Sequence, residues 1–251
     1  MSKLLSWNIN GLISAYYKGD LLTILEEGYD YICLQEVKSD NIDLIKNIVP
    51  NYYKIQFNFS KQKGKNGVIV LSKTKPIDCS KLLGENNFDS QGRFLNLKYH
   101  DFRLINLYLP HGGRDKKNLD FKLKSATIFL NQLKMYKNER IIIATDFNIA
   151  HKEMDVYNAK TNKKNIMFTN KERSVIDNLL ELGFIDAYRH LYKDTINYSW
   201  WTYAFNCRER NIGWRIDYFF VANCLKDNIK DIKMLGNIYG SDHCPIELKL
   251  R

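Results

Sequence analysis

The stretch Phe94-Leu-Asn-Leu-Lys-Tyr-His-Asp-Phe-Arg-Leu-Ile-Asn-Leu-Tyr-Leu109 contains two apolar runs separated by only four residues. A connection of that length fits a β-hairpin, and it is too short to hold a helix between the two runs. Neighbouring strands of a doubly wound parallel sheet need such a crossover helix. The stretch therefore predicts antiparallel pairing within a mixed or antiparallel sheet.

Similar short runs recur along the chain and predict strands at residues 4–9, 31–34, 53–59, 68–71, 94–99, 104–109, 141–145, 216–221 and 246–250. Helical periodicity predicts helices at residues 20–27, 42–48, 116–136 and 171–182. Thr169 and Glu172 form a capping box for the last helix. This mixture of elements fits a two-sheet sandwich with helices outside.

The composition indicates one domain over residues 1–251, because no repeat, low-complexity tract or linker divides the chain. The formal net charge is +10. This charge favours a polyanionic partner, although biased codon usage would also explain it. No apolar run is long enough to span a bilayer, so no membrane partner is expected.

The first residues enter a strand pattern directly and leave no room for a signal peptide. The five cysteines are widely spaced, which argues against a disulfide framework and against a zinc site. Both features favour a cytoplasmic protein with reduced thiols.

Polar residues stand where several apolar runs end. Asn8 and Glu36 each follow such a run, and if the two runs are neighbouring strands, both side chains can converge on one Mg²⁺ ion. Either residue alone is better explained as an ordinary loop or turn residue. The pair gains weight only from the motifs that follow.

Asp146 and Asn148 follow the apolar run of residues 141–145. Alternation places both side chains on one face, where an Asp can orient or deprotonate water and an Asn can donate to a phosphate oxygen. An Asx turn that closes the strand is the structural alternative.

His243 stands just before the last predicted strand and is a candidate to stabilise negative charge on a reacting phosphate. Asp217 lies in an apolar stretch, where an unpaired carboxylate would be costly. We expect His243 to be its partner and to be held in one orientation. The alternative is a buried Asp that caps a backbone N–H group.

Tyr108 ends another strand and precedes Pro110-His-Gly-Gly-Arg114, a segment that offers a phenol, a close backbone approach and a positive charge to a phosphate. Taken alone, the segment also fits an ordinary turn. The tryptophans at 200, 201 and 214 fit either a core or the wall of a pocket. The polar stretch of residues 150–168 is long enough to be a functional loop.

Together these residues resemble the exonuclease III and class II apurinic/apyrimidinic (AP) endonuclease family, from residue 5 to residue 250. The most specific segments are Asn158-Ala-Lys-Thr-Asn-Lys-Lys-Asn165, Asp186-Ala-Tyr-Arg-His-Leu-Tyr192, Trp200-Trp-Thr-Tyr203, Asn211-Ile-Gly-Trp-Arg-Ile-Asp-Tyr218 and Gly240-Ser-Asp-His-Cys-Pro245. The resemblance implies a four-layered α/β sandwich of the DNase I-like type, with two mixed β-sheets packed face to face and helices outside.

The resemblance further implies Mg²⁺-dependent cleavage of duplex DNA 5′ to an abasic site, 3′ repair diesterase activity and some 3′-to-5′ exonuclease activity. Mn²⁺ is an alternative ion because it also suits oxygen ligands. Matched by motif, the residues implied to contact the metal are Asn8, Asn10, Glu36, Asp146, Asn148, Asp242 and His243. Those implied to act in catalysis are Tyr108, Asp146, Asn148, Asp217 and His243.

The positions implied to contact DNA are His111, Arg114, Asn162, Asn165, Phe168, Trp201 and Trp214. Five departures from the family pattern bear on substrate preference. Thr145 replaces a Gly, His111 replaces an Asn or Gln, Met167 replaces a small residue, Gln91 replaces an acidic residue, and Ile13-Ser-Ala15 stands where an Arg is usual.

The protein is therefore expected to be a monomeric, intracellular DNA-repair nuclease that acts on duplex DNA with abasic sites or blocked 3′ ends, associated with the nucleoid while it acts. The alternatives are a mainly 3′-to-5′ exodeoxyribonuclease, a lipid or inositol phosphatase of the same superfamily, and a catalytically idle nucleic-acid-binding relative. Charge, the loop of residues 158–165 and the tryptophan positions argue against the lipid phosphatase. The complete set of catalytic residue types argues against the idle relative.

Overall fold

Two six-stranded sheets form the centre of the computed structural model, which describes residues 1–136 and 138–251. The first sheet has the order β11-β12-β1-β2-β4-β3 and consists of β1 Ser2–Asn8, β2 Tyr31–Gln35, β3 Lys54–Asn58, β4 Val68–Ser72, β11 Ile229–Met234 and β12 Ile246–Leu250. The second sheet has the order β5-β6-β7-β8-β10-β9 and consists of β5 Asp78–Ser80, β6 Phe94–Lys98, β7 Arg103–Tyr108, β8 Ile141–Asp146, β9 Phe184–Asp186 and β10 Asp217–Ala222.

The two sheets share one pairing pattern. Each contains a single parallel pair near its centre, β1 with β2 in the first sheet and β7 with β8 in the second, and the other described pairs are antiparallel. The expected hairpin forms between β6 and β7, with Lys98 opposite Arg103. The prediction of two mixed sheets is confirmed.

Helices cover the outer face of each sheet. The helices are α1 Leu12–Tyr17, α2 Asp20–Glu26, α3 Ile42–Ile48, α4 Asn86–Asp89, α5 Leu119–Lys134, α6 Ala159–Asn162, α7 Asn170–Glu181 and α8 Ala187–Leu191. Residues of α1, α2 and α3 pack on the first sheet, and residues of α5 and α7 pack on the second. The arrangement is the expected four-layered α/β sandwich.

Both faces of the central strands are apolar because each strand faces a different core on either side. In β8, Ile142 and Ala144 face the space between the sheets, whereas Ile141 and Ile143 face the helices. In β1, Leu4 and Leu5 divide in the same way. Continuous apolar runs in the sequence therefore correspond to strands that are covered on both faces.

Three strands were not predicted from the sequence, and all three lie at sheet edges: β5, β9 and β11. Edge strands tend to be short or charged, which limits unwanted pairing with other chains. Accordingly, β5 and β9 have three residues each, and β11 carries Lys230, Asp231 and Lys233. The period-2 apolar signal is too weak in such segments to distinguish them from loops.

The bounds of three predicted helices also differ from the prediction at one or both ends. The helix expected at 116–136 begins later, because Asn118 closes the preceding turn by donating its N–H to the Gly112 carbonyl. The capping box of Thr169 and Glu172 is present and starts α7 at Asn170. The stretch at 150–168 is not a simple loop, since it holds a 3₁₀ turn at Glu153–Asp155 and helix α6.

All five cysteines lie in the described part of the chain and carry free thiols. Cys33, Cys207 and Cys244 are buried, and Cys224 is exposed. Within residues 1–136 and 138–251, no helix has the length and apolar character that crossing a membrane requires.

Candidate active site

The two parallel pairs bring their carboxyl ends to the same side of the molecule. The register pairs Asn8 with Gln35 in the first sheet and Tyr108 with Asp146 in the second. Strand β10 runs antiparallel to β8 and begins at Asp217, which lies opposite Asp146. Polar side chains at or next to the ends of five strands therefore meet at this edge, as the sequence predicts. They are Asn8, Glu36, Tyr108, Asp146 and Asp217.

Glu36 lies at the centre of one group of contacts. Its Oε1 accepts hydrogen bonds from Asn8 Nδ2 at 2.9 Å and from Tyr108 Oη at 2.6 Å. Its Oε2 forms an ion pair with Lys38 Nζ at 2.8 Å. The backbone at Glu36 has φ of 49°, a left-handed conformation that is uncommon for this residue type and that concentrates at functional sites.

Asp146 and Asn148 form the second group. Asp146 Oδ2 accepts from Asn8 Nδ2 at 2.8 Å, so Asn8 bridges Glu36 and Asp146. Asn148 donates its backbone N–H to Asp146 Oδ1 at 2.9 Å, which is an Asx turn, and its Nδ2 lies 3.3 Å from Asp146 Oδ2. The structure thus contains both the turn and the shared face that the sequence suggested.

His243 and Asp217 are paired, as predicted. His243 Nδ1 lies 2.8 Å from Asp217 Oδ2, and Ser199 Oγ donates to the same carboxylate oxygen at 2.7 Å. The other ring nitrogen of His243, Nε2, lies 4.0 Å from Asp146 Oδ2. The ring is thereby oriented with Nε2 toward Asp146, because Nδ1 is held from behind.

Asp242 and Asn10 complete the edge. Asn10 Nδ2 donates to Asp242 Oδ1 at 2.7 Å, and Trp200 Nε1 donates to Asp242 Oδ2 at 3.0 Å. Lys38 Nζ also donates to the Asn10 side chain, which links this pair to Glu36. All seven residues expected to contact a metal therefore lie in one connected set of contacts.

Burial and charge shift the protonation of these groups. Burial opposes ionisation of Glu36, but the ammonium of Lys38 and three hydrogen bonds to the carboxylate lower its pKa to about 2. Burial and the nearby charge of Asp217 raise the pKa of Asp146 to about 7. Burial opposes protonation of His243, but the charge and hydrogen bond of Asp217 raise its pKa to about 10.

The donor set fits a hard divalent cation. Asp146, Asp217 and His243 are buried, and each offers a ligand atom within 4.8 Å of the others. Glu36, Asn8, Asn10 and Asp242 add carboxylate and amide groups beside them. Mg²⁺ prefers oxygen ligands. In the buried cluster, His243 offers nitrogen, and its Nδ1 is already engaged by Asp217. The oxygen donors around Glu36 therefore form the better cation site.

A cavity of about 700 Å³ opens beside this edge. Five of the seven residues expected to contact DNA line it: His111, Arg114, Asn162, Asn165 and Trp214. Three cationic residues, Arg114, Lys116 and Lys164, are among the described lining residues, and none of those lining residues is acidic. A negatively charged ligand suits such a cavity.

The other two expected DNA contacts lie behind the cavity wall. Phe168 is fully buried and packs edge-on against Trp214, with ring centroids 6.3 Å apart. Trp201 is 5% exposed and lines a separate cavity of about 130 Å³ next to Asp242. Of the neighbours Trp200 and Trp201, it is Trp200 that lines the large cavity.

A group of three buried charged residues and one half-buried arginine, which we call the arginine network, supports the segment that carries Trp214 and Asp217. It consists of Asp155, Asp186, Arg189 and Arg215. Arg215 donates to both oxygens of Asp155, at 2.8 and 3.1 Å, and to Asp186 at 2.7 Å. The network joins the loop after β8 to the strand β10 that begins at Asp217.

Three residues of the site were not identified from the sequence, Lys38, Ser199 and Arg93, whereas Trp200 was named as a candidate for either a core or a pocket wall. The guanidinium of Arg93 lies 4.4 Å from the centre of the Tyr108 ring. Lys38 lies two residues after Glu36, and this closeness in sequence is the one local signal that could have marked it. The others depend on contacts between distant segments, so local pattern could not reveal them.

The chain is similar to known proteins along nearly its whole length. The Endonuclease/Exonuclease/phosphatase family matches residues 5–243. An exodeoxyribonuclease from Bacillus subtilis is 38% identical over 249 residues, which cover 98% of each chain. A DNA-(apurinic or apyrimidinic site) endonuclease from Dictyostelium discoideum is 37% identical over 97% of this chain and 69% of its own.

Among solved structures, an AP endonuclease from Archaeoglobus fulgidus superimposes with a TM-score of 0.89 at 24% identity, covering 100% of this chain and 99% of the other. This match supports the fold. The two sequence relatives, which match nearly all of this chain, and the buried cluster of Asp146, Asp217 and His243 identify the family. The chain belongs to the exonuclease III and class II AP endonuclease branch of the endonuclease/exonuclease/phosphatase family, and it is a phosphodiesterase nuclease.

Proposed function

We propose that this protein is a monomeric, intracellular AP endonuclease that hydrolyses the phosphodiester bond 5′ to an abasic site in duplex DNA and leaves a 3′-hydroxyl. We include 3′ repair diesterase activity and some 3′-to-5′ exonuclease activity, with Mg²⁺ as the cofactor and Mn²⁺ as the alternative. One observation carries the proposal. Contacts join Glu36, Asn8 and Asp146 to the Asp217 to His243 pair, and Trp200, which donates to Asp242, lines a neighbouring cavity that also carries three cationic residues and Trp214.

The metal would be held by Glu36, with Asn8, Asn10 and Asp242 next to it, and Asp146, Asn148 and His243 would border this site. When bound, Mg²⁺ supplies positive charge that polarises the phosphate and offsets charge that develops on it. Lys38 now balances the carboxylate of Glu36. We expect the cation to compete with Lys38 for that carboxylate.

The chain's own groups divide the remaining work. Asp146 orients water for attack on phosphorus and accepts its proton, and Asn8 and Asn148 fix this carboxylate through hydrogen bonds. Tyr108 and Asn148 hold the scissile phosphate. His243, held by Asp217, faces the negative charge that grows as water adds and the bond to the 3′-oxygen breaks. Asp146 releases the proton that it accepted, and the departing 3′-oxygen takes one up. Hydrolysis thus consumes one water molecule and forms a 3′-hydroxyl and a 5′-phosphate.

The cavity would accept the sugar that lacks a base. Arg114, Lys116 and Lys164 suit the flanking phosphates, and Trp200 and Trp214 offer flat apolar walls. A residue that enters such a pocket must leave the duplex stack, and a sugar without a base does this at the lowest cost. Selection in this proposal is by shape, so no contact to a base is required.

The second candidate is a mainly 3′-to-5′ exodeoxyribonuclease. The name of the Bacillus subtilis relative favours it. So does Met167, a buried cavity-lining residue with φ of 70° at a position where the family pattern has a small residue. A bulky side chain there leaves less room for a flipped sugar within a continuous strand.

A cleavage assay separates these candidates. The substrate is a 5′-labelled duplex with one tetrahydrofuran abasic analogue, incubated with Mg²⁺ or with EDTA beside an undamaged duplex. Incision only at the analogue and only with Mg²⁺ supports the AP endonuclease. A ladder of products from the undamaged duplex supports the exodeoxyribonuclease.

Two variants and a control complete the assay. Glu36→Ala and His243→Ala should lose incision, and Lys46→Ala, an exposed change on α3, should keep it. Full activity of both site variants would overturn the proposed site. Tight binding of both duplexes by the wild type, without any cleavage, would support the idle binding protein instead.

A further inference from the structure

A fully buried ion pair lies behind the candidate site. Lys122 on α5 and Glu172 on α7 are both 0% exposed, and Lys122 Nζ lies 2.6 Å from Glu172 Oε1. Removing two charges from water is costly, and an apolar pair of similar volume would often be at least as stable. The identity of these two residues is therefore not explained by packing alone.

The ammonium of Lys122 is directed at the backbone of Asn148. Lys122 Nζ donates to the Asn148 carbonyl at 2.6 Å. Asn148 has φ of 51°, so its peptide groups are turned out of the strand direction, and its side chain donates to the Leu109 carbonyl at 2.9 Å. The charged donor from α5 thus fixes the backbone conformation from which the Asn148 amide points toward Asp146.

Glu172 extends the same contacts to the cavity loop. Its Oε1 accepts from the backbone N–H of Met167 at 3.0 Å, and its Oε2 accepts from the backbone N–H of Thr169 at 3.1 Å. Met167 lines the large cavity and has a left-handed backbone. One carboxylate therefore caps α7 and also holds the end of the loop that forms the cavity wall.

The turn at residues 110–114 makes the third connection. Lys122 Nζ lies 3.5 Å from the His111 carbonyl. A Cβ atom placed on Gly112 would lie 2.8 Å from Ile166 Cδ1 and 3.4 Å from Lys122 Cδ. The turn, the cavity loop and the stem of Lys122 are consequently packed without space between them.

We propose that Lys122 and Glu172 are positioning residues that align Asn148 and the cavity wall for phosphodiester hydrolysis. This inference rests on the proposed function, since it assigns Asn148 to the scissile phosphate. The pair joins three segments that contact the substrate in that proposal: the strand end at Asn148, the turn after Tyr108 and the loop that ends at Met167. Because the pair is neutral overall, it can align Asn148 without adding net charge next to Asp146.

The test is the double variant Lys122→Met with Glu172→Gln. The introduced glutamine keeps an acceptor for the cap of α7, and the introduced methionine fills the space of the lysine stem, so neither substitution leaves an unpaired charge. The matched control is Arg103→Met with Glu139→Gln, a partly buried pair at the opposite end of β7. Steady-state cleavage of the abasic duplex, thermal midpoint and DNA affinity in EDTA are measured for both.

We expect kcat of the Lys122/Glu172 variant to fall by about 10–100-fold, because a displacement near 1 Å of a group that orients substrate has that effect. KM and the affinity for DNA in EDTA should change by less than about threefold, since phosphate charge and not Asn148 alignment dominates binding. The control variant should keep wild-type kcat. Unchanged kcat in the Lys122/Glu172 variant, or an equal loss in the control, overturns the inference.

A spectroscopic measurement decides the matter independently of activity. In ¹⁵N-labelled protein, the side-chain amide signal of Asn148 is assigned by its absence in Asn148→Asp. The Lys122/Glu172 variant should shift that signal and speed its exchange with water, whereas the Arg103/Glu139 control should not. A wild type that fails to cleave abasic DNA would refute the proposed function, and an unmoved Asn148 signal would refute the positioning role.

Discussion

Two groups of charges, the arginine network and the candidate site, differ in charge balance. The network sets two arginines against two aspartates, and Asp155 contacts both arginines. Burial opposes ionisation of Asp155, but the charge of Arg215 lowers its pKa to about 2. In the site, Glu36, Asp146 and Asp217 face the two cationic groups of Lys38 and His243, and the pKa of Asp146 rises to about 7.

This difference in charge balance indicates a structural role for the network and a ligand-binding role for the site. Balanced charges hold the Arg215 segment to the loop at Asp155. Because the network is neutral overall, it does not attract a charged ligand. An excess of buried carboxylate is unfavourable in the free protein, and a divalent cation relieves it. We therefore expect changes in the network to alter mainly stability, and changes in the site to alter mainly activity.

The largest expected effect is on catalysis. His243→Ala should lower kcat for abasic duplex cleavage by at least about 10³-fold, because it removes a preorganised charge that faces the reacting phosphate. The thermal midpoint should also fall, because Asp217 loses its buried partner, so kcat is compared well below the midpoint of the variant. The comparison would break if the variant kept activity and instead unfolded at a much lower temperature.

Asp155→Asn should show the reverse pattern. It leaves the buried Arg215 with Asp186 alone and the half-buried Arg189 without its carboxylate partner, and breaking a buried pair costs about 3–5 kcal/mol. For a domain of this size the thermal midpoint should fall by about 6–20 °C. Well below the new midpoint, kcat should remain within a few-fold of wild type.

The matched control for Asp155 is Asp43→Asn, which breaks an exposed pair with Lys46. Exposed pairs contribute little to stability, so the thermal midpoint should not change measurably. Equal losses for the buried and the exposed aspartate would mean that the network does not stabilise the fold as its geometry indicates.

Divalent cations should stabilise the protein through the site alone. Mg²⁺ at 100 times its dissociation constant should add about 2.7 kcal/mol to the free energy of unfolding. Glu36→Gln should remove this gain, whereas Asp155→Asn should keep it on a lower baseline. Differential scanning fluorimetry with and without Mg²⁺ provides the measurement, and an unchanged Mg²⁺ shift in Glu36→Gln would exclude Glu36 as the main ligand.

Acid should weaken the network in a defined range of pH. The pKa of Asp155 is lower in the folded state, about 2, than the ordinary value near 3.8, so its ionised form stabilises the fold above pH 4. That contribution, about 2 kcal/mol, is lost as the pH falls from 4 toward 2. Urea unfolding at several pH values should show a steeper acid dependence in wild type than in Asp155→Asn.

The sequence identified the parts of the site that follow apolar runs. Asn8, Glu36, Asp146 and Asn148 were found because a buried strand must end before a polar residue can face solvent or a ligand. The pairing of Asp217 with His243 followed from the cost of an unpaired buried carboxylate, and the contact at 2.8 Å confirms it.

Other features depend on contacts between distant segments and left no local pattern. Ser199 holds Asp217 from a loop without helical or strand periodicity, and Lys122 lies on a helix where a Lys normally indicates solvent. The edge strands β5, β9 and β11 were missed because their sequences favour solubility over burial. The distinction between Trp200 and Trp201 required knowledge of which ring faces the cavity.

The distance along the chain between the two ends of the site has a consequence for biosynthesis. Trp7 donates to the His243 carbonyl, and Ser241 donates to the Asn8 carbonyl, across separations of 236 and 233 residues. While the ribosome has yet to add the residues around 243, the nascent chain has no imidazole opposite Asp146. If His243 acts as proposed, we expect nuclease activity to begin only after the last strand has joined the sheet beside the first.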